Sequence, residues 1–189
     1  MPTKRSASTA LCTGTVLIVV GGNRDGPRLQ TVEVMNTETL QWSTAADLPQ
    51  PLYKVPGTVC GDQIYILAES RMYTCSVLAL VQPHGDAAIV WREVAAPPVT
   101  WTTCVSIHGR LLAIGGKLAI GGRDSNNKPT AAIHMYNPTT DSWKVISHMG
   151  TPRWQCIAAV LNNQLMVVGG YTADGEPSST DSIEFAYVE

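Results

Sequence analysis

The chain has 189 residues, of which 44% are apolar and 15% charged, with a formal net charge of −2. That balance lacks the basic footprint of a nucleic-acid-binding protein, and no apolar run approaches the ~20 residues of a membrane-spanning helix. No helical periodicity runs far enough to form a substantial α-helix, which leaves an all-β soluble domain.

From the N-terminus, the segment MPTKRSASTALCTGTVLIVV combines a small basic start with a later apolar run. It lacks a convincing signal-cleavage region, and a repeat explains the run itself. VLIVVGG ends at Gly21-Gly22, LLAIGG at Gly115-Gly116, a near-copy KLAIGG at Gly121-Gly122, and LMVVGG at Gly169-Gly170. A fifth run, QIYILAE, places Ala68-Glu69 where the diglycine would fall. Gly21 to Ala68 is 47 residues, Ala68 to Gly115 is again 47, and Gly121 to Gly169 is 48. A fixed period of this size marks stacked or radial supersecondary units. Phosphate cradling is a poor reading of the diglycines, because no Gly-x-Gly-x-x-Gly or Gly-Lys-Ser/Thr pattern opens a helix.

The runs Val16–Val20, Ile64–Leu67 and Leu165–Val168 are apolar throughout, which predicts strands buried on both faces. A short polar turn precedes each returning strand, at Gly61-Asp62-Gln63, His108-Gly109-Arg110 and Asn162-Asn163-Gln164, as in β-hairpins. Further on, TVEVMNTETLQW and AIHMYNPTTDSW align without a gap, each turning at Asn36-Thr37 or Asn137-Pro138. Trp42, Trp91 and Trp143 close three repeats, and Tyr136 stands seven residues before Trp143, where the first repeat has Met35. Val77 to Trp91 is too long and irregular for a standard hairpin. Residues 112–116 and 118–122 both read LAIGG. The His108-Gly109 turn suits the first copy and the distance to Trp143 suits the second. Because six is even, both registers keep every side chain on its own face.

These features resemble the kelch repeat, in which an apolar strand ends in Gly-Gly, a Tyr stands in the next strand and a Trp in the last. The resemblance runs from about Ser8 to Val188. It implies a kelch-type β-propeller of about four blades, each of four antiparallel strands, and an incomplete ring. The expected layout is an N-terminal tail over residues 1–7 and a kelch-repeat domain over residues 8–189, with repeats at about 8–50, 51–98, 99–150 and 151–189. The repeat-defining residues are Gly21, Gly22, Gly115, Gly116, Gly121, Gly122, Gly169, Gly170, Trp42, Trp91, Tyr136 and Trp143. The chain ends on what matches a third strand, DSIEFAYVE, without a fourth carrying Trp. Open edges beside Leu11–Val20 and Ile183–Val188 are expected to favour self-association.

Two loop sets are candidates for function. One follows each diglycine (residues 23–30, 70–72, 123–130 and 171–181). The other lies between each Trp and the next blade (residues 43–56, 92–100 and 144–155). The resemblance implies that both sets share one face. Arg24-Asp25 recurs as Arg123-Asp124 directly after a diglycine, and Arg28, Arg71 and Lys128 add positive charge, with Arg92, Lys144 and Arg153 from the second set. Arginine's planar fork suits carboxylate or phosphate recognition, so Arg24, Arg28, Arg71, Arg123, Lys128 and Arg153 are the candidate partner-binding residues, toward an acidic or phosphorylated peptide. Asp25, Asp124, Asp174 and Glu176 in the same loops offer local partners instead.

Five cysteines (Cys12, Cys60, Cys75, Cys104, Cys156) form no Cys-x-x-Cys pair, which fits buried reduced strand thiols in the cytoplasm. Cys75, near Arg71, is the one candidate for a redox thiol. His84, His108, His134 and His148 are scattered and show no metal-ligand spacing, so neither a metal nor any other cofactor is expected. The resemblance implies a non-catalytic protein-interaction module, such as a ubiquitin-ligase substrate adaptor or an actin binder, acting without nucleic acid or membrane. An enzyme of the sugar-isomerase or copper-oxidase type is the alternative, and no nucleophile–base grouping supports it.

Overall fold

Each apolar run becomes an inner strand of an antiparallel sheet in a computed structural model that describes residues 1–68, 70–81, 91–118, 128–172 and 179–187. Blade 1 is β1 (Thr9–Thr13), β2 (Val16–Val20), β3 (Val32–Asn36) and β4 (Trp42–Ala45), hydrogen-bonded in that order. Blade 2 is β5 (Gly57–Cys60), β6 (Gln63–Ala68) and β7 (Arg71–Ser76), then a one-turn helix α1 (Val77–Val81), then β8 (Arg92–Val94). A short strand β9 (Val99–Thr100) leads into blade 3: β10 (Thr103–Ile107), β11 (Arg110–Ile114), β13 (Ala132–Asn137) and β14 (Ser142–His148). Between β11 and β13, the two residues of β12 (Lys117–Leu118) pair with β9. Blade 4 is three-stranded among the described residues: β15 (Ile157–Leu161), β16 (Gln164–Val168) and β17 (Ile183–Tyr187). Among the described residues the fold is all-β, with four sheets of propeller-blade topology besides the short β9–β12 pair.

The chain forms two compact units, Met1–Ala68 with Met72–Glu93 and Glu69–Arg71 with Val94–Glu189. Blades 1 and 2 make up the first unit and blades 3 and 4 the second. In the first, Ile18, Val20, Val32 and Val34 of blade 1 pack with Ile64, Ile66 and Tyr73 of blade 2. In the second, Leu112, Ile114 and Ile133 of blade 3 pack with Leu165 and Val167 of blade 4. Both interfaces bury apolar side chains from facing sheets, the main favourable contribution to the fold.

The diglycine follows from the packing of one blade on the next. The amide N–H of Gly22 donates to the Leu52 carbonyl (2.8 Å), and that of Gly116 donates to the Arg153 carbonyl (2.8 Å). A Cβ on Gly21 would stand 2.5 Å from the Leu52 oxygen, and one on Gly115 would stand 2.4 Å from the Arg153 oxygen. All four of these glycines have positive φ as well, so a side chain is excluded by sterics and by backbone conformation together.

The duplicated LAIGG resolves in favour of its first copy. His108 and Gly109, with φ of 50° and 70°, form a tight two-residue turn that pairs Ile107 with Arg110 and fixes β11 at Arg110–Ile114. Shifting to the second copy would add six residues to that turn. Of the second copy, Gly121 and Gly122 lie outside the described residues, as does Glu69 of the imperfect second repeat.

The segment expected to be a tail is built into blade 1. Ser6 and Asn23 exchange backbone hydrogen bonds (3.0 and 2.9 Å), and the Arg5 side chain is fully buried. Its guanidinium donates to the carbonyls of Gly21 (2.6 Å) and Thr31 (3.0 Å) and lies 3.0 Å from Glu33 Oε2. Glu33 Oε1 accepts from the N–H and hydroxyl of Thr3.

Candidate functional site

Arg153 repeats in blade 4 the arrangement of Arg5 in blade 1, which removes it from the candidate contact surface. Its side chain is fully buried, and it donates to the carbonyls of Gly169 (3.0 Å) and Ser182 (3.2 Å), to Ser182 Oγ (2.9 Å) and to Glu184. The Glu184 carboxylate also accepts the amide N–H groups of Gly150 and Thr151. Burial pushes its pKa up, but these two amides and the Arg153 charge outweigh burial and hold the carboxyl below its ordinary value. Arg153 is therefore a pin that holds the first glycine of its repeat. Sequence reading missed Arg5 in the same role. The matching offset, 16 residues before Gly21 and before Gly169, was the available signal.

The same positions in the other blades carry different chemistry. Blade 2 has Leu52 and the buried Tyr73, and blade 3 has the buried Val99 and His134. Among the described residues, His134 Nδ1 has no hydrogen-bond partner. Burial, and then the nearby His148, lowers the His134 pKa. A histidine depressed in the folded state stays neutral there while the unfolded chain protonates below about pH 6.5, so the unfolded state binds more protons and stability falls with pH. Thermal melts should show stability dropping as pH goes below about 6.5, with a shallower drop in His134→Gln; parallel slopes for the two proteins would rule this out.

Cys75 is buried in the blade 1–blade 2 core, which disfavours a redox role. Burial pushes its thiol up to about 11, and those of Cys104 and Cys156 to about 12 and about 11. The nucleophilic thiolate is thereby suppressed. All five cysteines are free, and only Cys12 is exposed. Among the described residues no three His, Cys, Asp or Glu side chains cluster in a way that holds a metal ion.

The loop cations fall into distinct environments. Among the described residues the Arg24 side chain makes a long 4.0 Å contact with Asp25, and both are exposed. Arg28 is different: its guanidinium lies 4.3 Å from the centre of the Tyr53 ring, with Lys54 Nζ at 5.9 Å from the same ring. In the second unit Lys117 Nζ lies 4.2 Å from the centre of the Trp154 ring. Tyr53 and Trp154 are equivalent, since each follows the residue whose carbonyl receives the second glycine's N–H. A cation over an aromatic face just beyond the diglycine therefore occurs once in each unit. Each contact contributes about 0.5–1 kcal/mol at an exposed site and holds the cation in place. The aromatic patch of the second unit extends further, with Tyr171 5.0 Å from Trp154 and Trp101 at 6.3 Å in an edge-on arrangement.

A backbone kink sets up this surface in every repeat. Ala7, Lys54, Trp101 and Gln155 occupy the same position and have φ of 53°, 52°, 55° and 51°. Left-handed backbone is unusual for residues with side chains, most of all for a bulky aromatic. Here it leaves Lys54, Trp101 and Gln155 exposed. Sequence reading chose the arginines by charge and missed Tyr53, Trp101, Lys117, Trp154 and Tyr171, because no local pattern marks an aromatic that will stack beneath a cation. Arg71, at the start of β7, and Lys128 are exposed. Arg123, Asp124, Asp174, Glu176 and His84 lie outside the described residues.

The tryptophans complete the repeat geometry. Trp91 Nε1 donates to the Ala46 carbonyl (3.2 Å) and Trp143 Nε1 to the Ala95 carbonyl (2.7 Å). Each acceptor stands four residues after the preceding repeat's Trp. Tyr136 pairs across the strands with Trp143, their ring centres 5.2 Å apart, and its hydroxyl donates to Asp141 (2.6 Å). The Kelch motif family model matches residues 4–49 and 118–150. Both stretches are similar to the kelch repeat. Kelch-like protein 41a of Danio rerio is 25% identical over 178 residues, covering 90% of this chain and 29% of that protein. Kelch-like protein 15 of Homo sapiens is 23% identical over 195 residues, covering 95% of this chain and 32% of that protein. Kelch-like protein 35 of Mus musculus is 24% identical over 135 residues, covering 71% of this chain and 22% of that protein. The chain thus spans about a third or less of the length of these curated relatives. The second kelch match begins at the second LAIGG copy, whereas the strand in the fold is the first, so the kelch pattern follows the spacing to Trp143 and the fold follows the turn.

Proposed function

We propose that the chain is a non-catalytic protein-interaction module of the cytoplasm whose post-diglycine loops receive an acidic or phosphorylated segment of a partner protein. The carrying observation is the repeated stacking of a cation on an aromatic, Arg28 on Tyr53 and Lys117 on Trp154. Such cations are already ordered, so a carboxylate or phosphate meets them at a smaller entropic cost than it would meet free side chains. The flanking rings supply the apolar, rigid contact area found in binding hot spots. Arg24 is proposed as a further contact beside Arg28, and Arg71 and Lys128 as contacts on the second unit; Arg123 is proposed as a contact from the same loop class and lies outside the described residues. Recruitment of a substrate to a ubiquitin ligase, or binding to actin, are the settings that fit a kelch module of this kind. Among the described residues no helix is long and apolar enough to cross a membrane.

The test begins with partners captured from cytosolic extract and mapped to a bound peptide. Replacing Arg28 with Ala is expected to weaken a peptide bound to the first unit, and replacing Lys117 with Ala one bound to the second, each by about tenfold or more, since a charge-assisted contact contributes ~1.5–3 kcal/mol. Arg24→Ala should have a smaller effect, because its side chain is solvated and unstacked. Unchanged affinity in both Arg28→Ala and Lys117→Ala would reject this surface.

A further inference from the structure

Blade 4 carries one apolar sheet face that is exposed among the described residues. Ile157 of β15 and Ile183 and Phe185 of β17 lie on this face with Met166 and Val168 of β16, as the strand registers require. Ile157 is 70% exposed, Ile183 54% and Phe185 59%. Contiguous exposed apolar surface of this kind marks an interaction site.

The molecule itself shows what such a face binds. The equivalent face of blade 1 (Ile18, Val20, Val32, Val34) is buried against blade 2, and that of blade 3 (Leu112, Ile114, Ile133) against blade 4. In both cases the covering surface is the opposite face of the next blade, supplied by Ile64 and Ile66 in blade 2 and by Leu165, Val167 and Ala158 in blade 4. Blade 1 presents that covering type of face as well. Its members are Ala10, Cys12, Leu17, Val19 and Met35, with Ala10 and Cys12 exposed. It also carries the Arg5–Glu33 pair at the position of Arg153–Glu184, and Thr3 meets Glu33 as Thr151 meets Glu184. The surface that blade 3 uses to receive blade 4 thus recurs on blade 4, and the surface it receives recurs on blade 1.

We propose that the exposed face of blade 4 docks the blade 1 face of a second copy of this chain, repeating the contact between blades 3 and 4 across the new interface. The contact is heterologous, so it closes into a ring or runs on as an open polymer. A ring of two copies would hold eight blades, within the range that propellers adopt.

The experiment is analytical ultracentrifugation of the whole 189-residue chain and of two variants, each with one face blocked. Phe185→Glu blocks the blade 4 face and Ala10→Glu the blade 1 face. Both positions are exposed, so the fold should survive, and unchanged circular dichroism and melting would confirm this. The wild type is expected to sediment as a dimer or larger species and each variant as a monomer. Mixing the two variants should restore a one-to-one complex, because each retains the face that the other lacks. A monomeric wild type would overturn the proposal. So would variants that fail to recombine, which would indicate a symmetric contact between like faces.

Discussion

Arg5→Ala is expected to lower the unfolding free energy of the first unit by about 3–5 kcal/mol, the usual effect of removing one partner of a buried ion pair. The substitution leaves Glu33, only 1% exposed, without its cation, and frees the carbonyls of Gly21 and Thr31 from their side-chain donor. The loss reports the stranded carboxylate more than the net contribution of the pair, because desolvating two charges offsets much of their attraction. Blade 2 provides the control, since it carries Leu52 and Tyr73 at these positions, both buried. The double variant Arg5→Leu with Glu33→Tyr should therefore recover most of the loss. Chemical denaturation of the three proteins decides the matter. A single variant as stable as wild type would show that the pair is not closed in solution.

Trp91→Ala is expected to cost about 3–5 kcal/mol, the range for truncating a buried aromatic. Trp91 is 9% exposed and packs in the core shared by blades 1 and 2. Its indole N–H also reaches the Ala46 carbonyl, next to the loop that leaves blade 1. Trp91→Phe keeps much of the packing and removes only the donor, so a smaller cost of about 1 kcal/mol is expected. Trp42 and Trp143 are only partly buried, so their truncations should cost less. Denaturant midpoints that fail to separate Trp91→Ala from Trp91→Phe would show that the hydrogen bond, and not the ring, carries the stability.

Much of the architecture is legible along the chain because each repeat is local. The Asn36 turn shows this. Its side-chain oxygen accepts the N–H groups of Glu38 and Thr39, Asn137 does the same for Thr139 and Thr140, and both turns were visible in the sequence as Asn36-Thr37 and Asn137-Pro138. Strand runs, turns and diglycines recur for the same reason, since each reports a backbone requirement met within a few residues.

The sequence by itself determined the all-β blade plan, the repeat period of about 47 residues and the positions of the glycines. Only the tertiary structure decided that Arg153 is a buried pin and not a loop cation, that Arg5 joins blade 1, and that the first LAIGG copy forms the strand. It also stacked Arg28 on Tyr53 and Lys117 on Trp154. The physical reason is sequence distance. The first kind of feature is dictated by alternation, turn chemistry and φ at single residues. The second, apart from the LAIGG register that the local His108-Gly109 turn fixes, depends on partners 16 to 31 residues away, or in the next blade, whose approach determines whether a charge is desolvated, paired or left facing water.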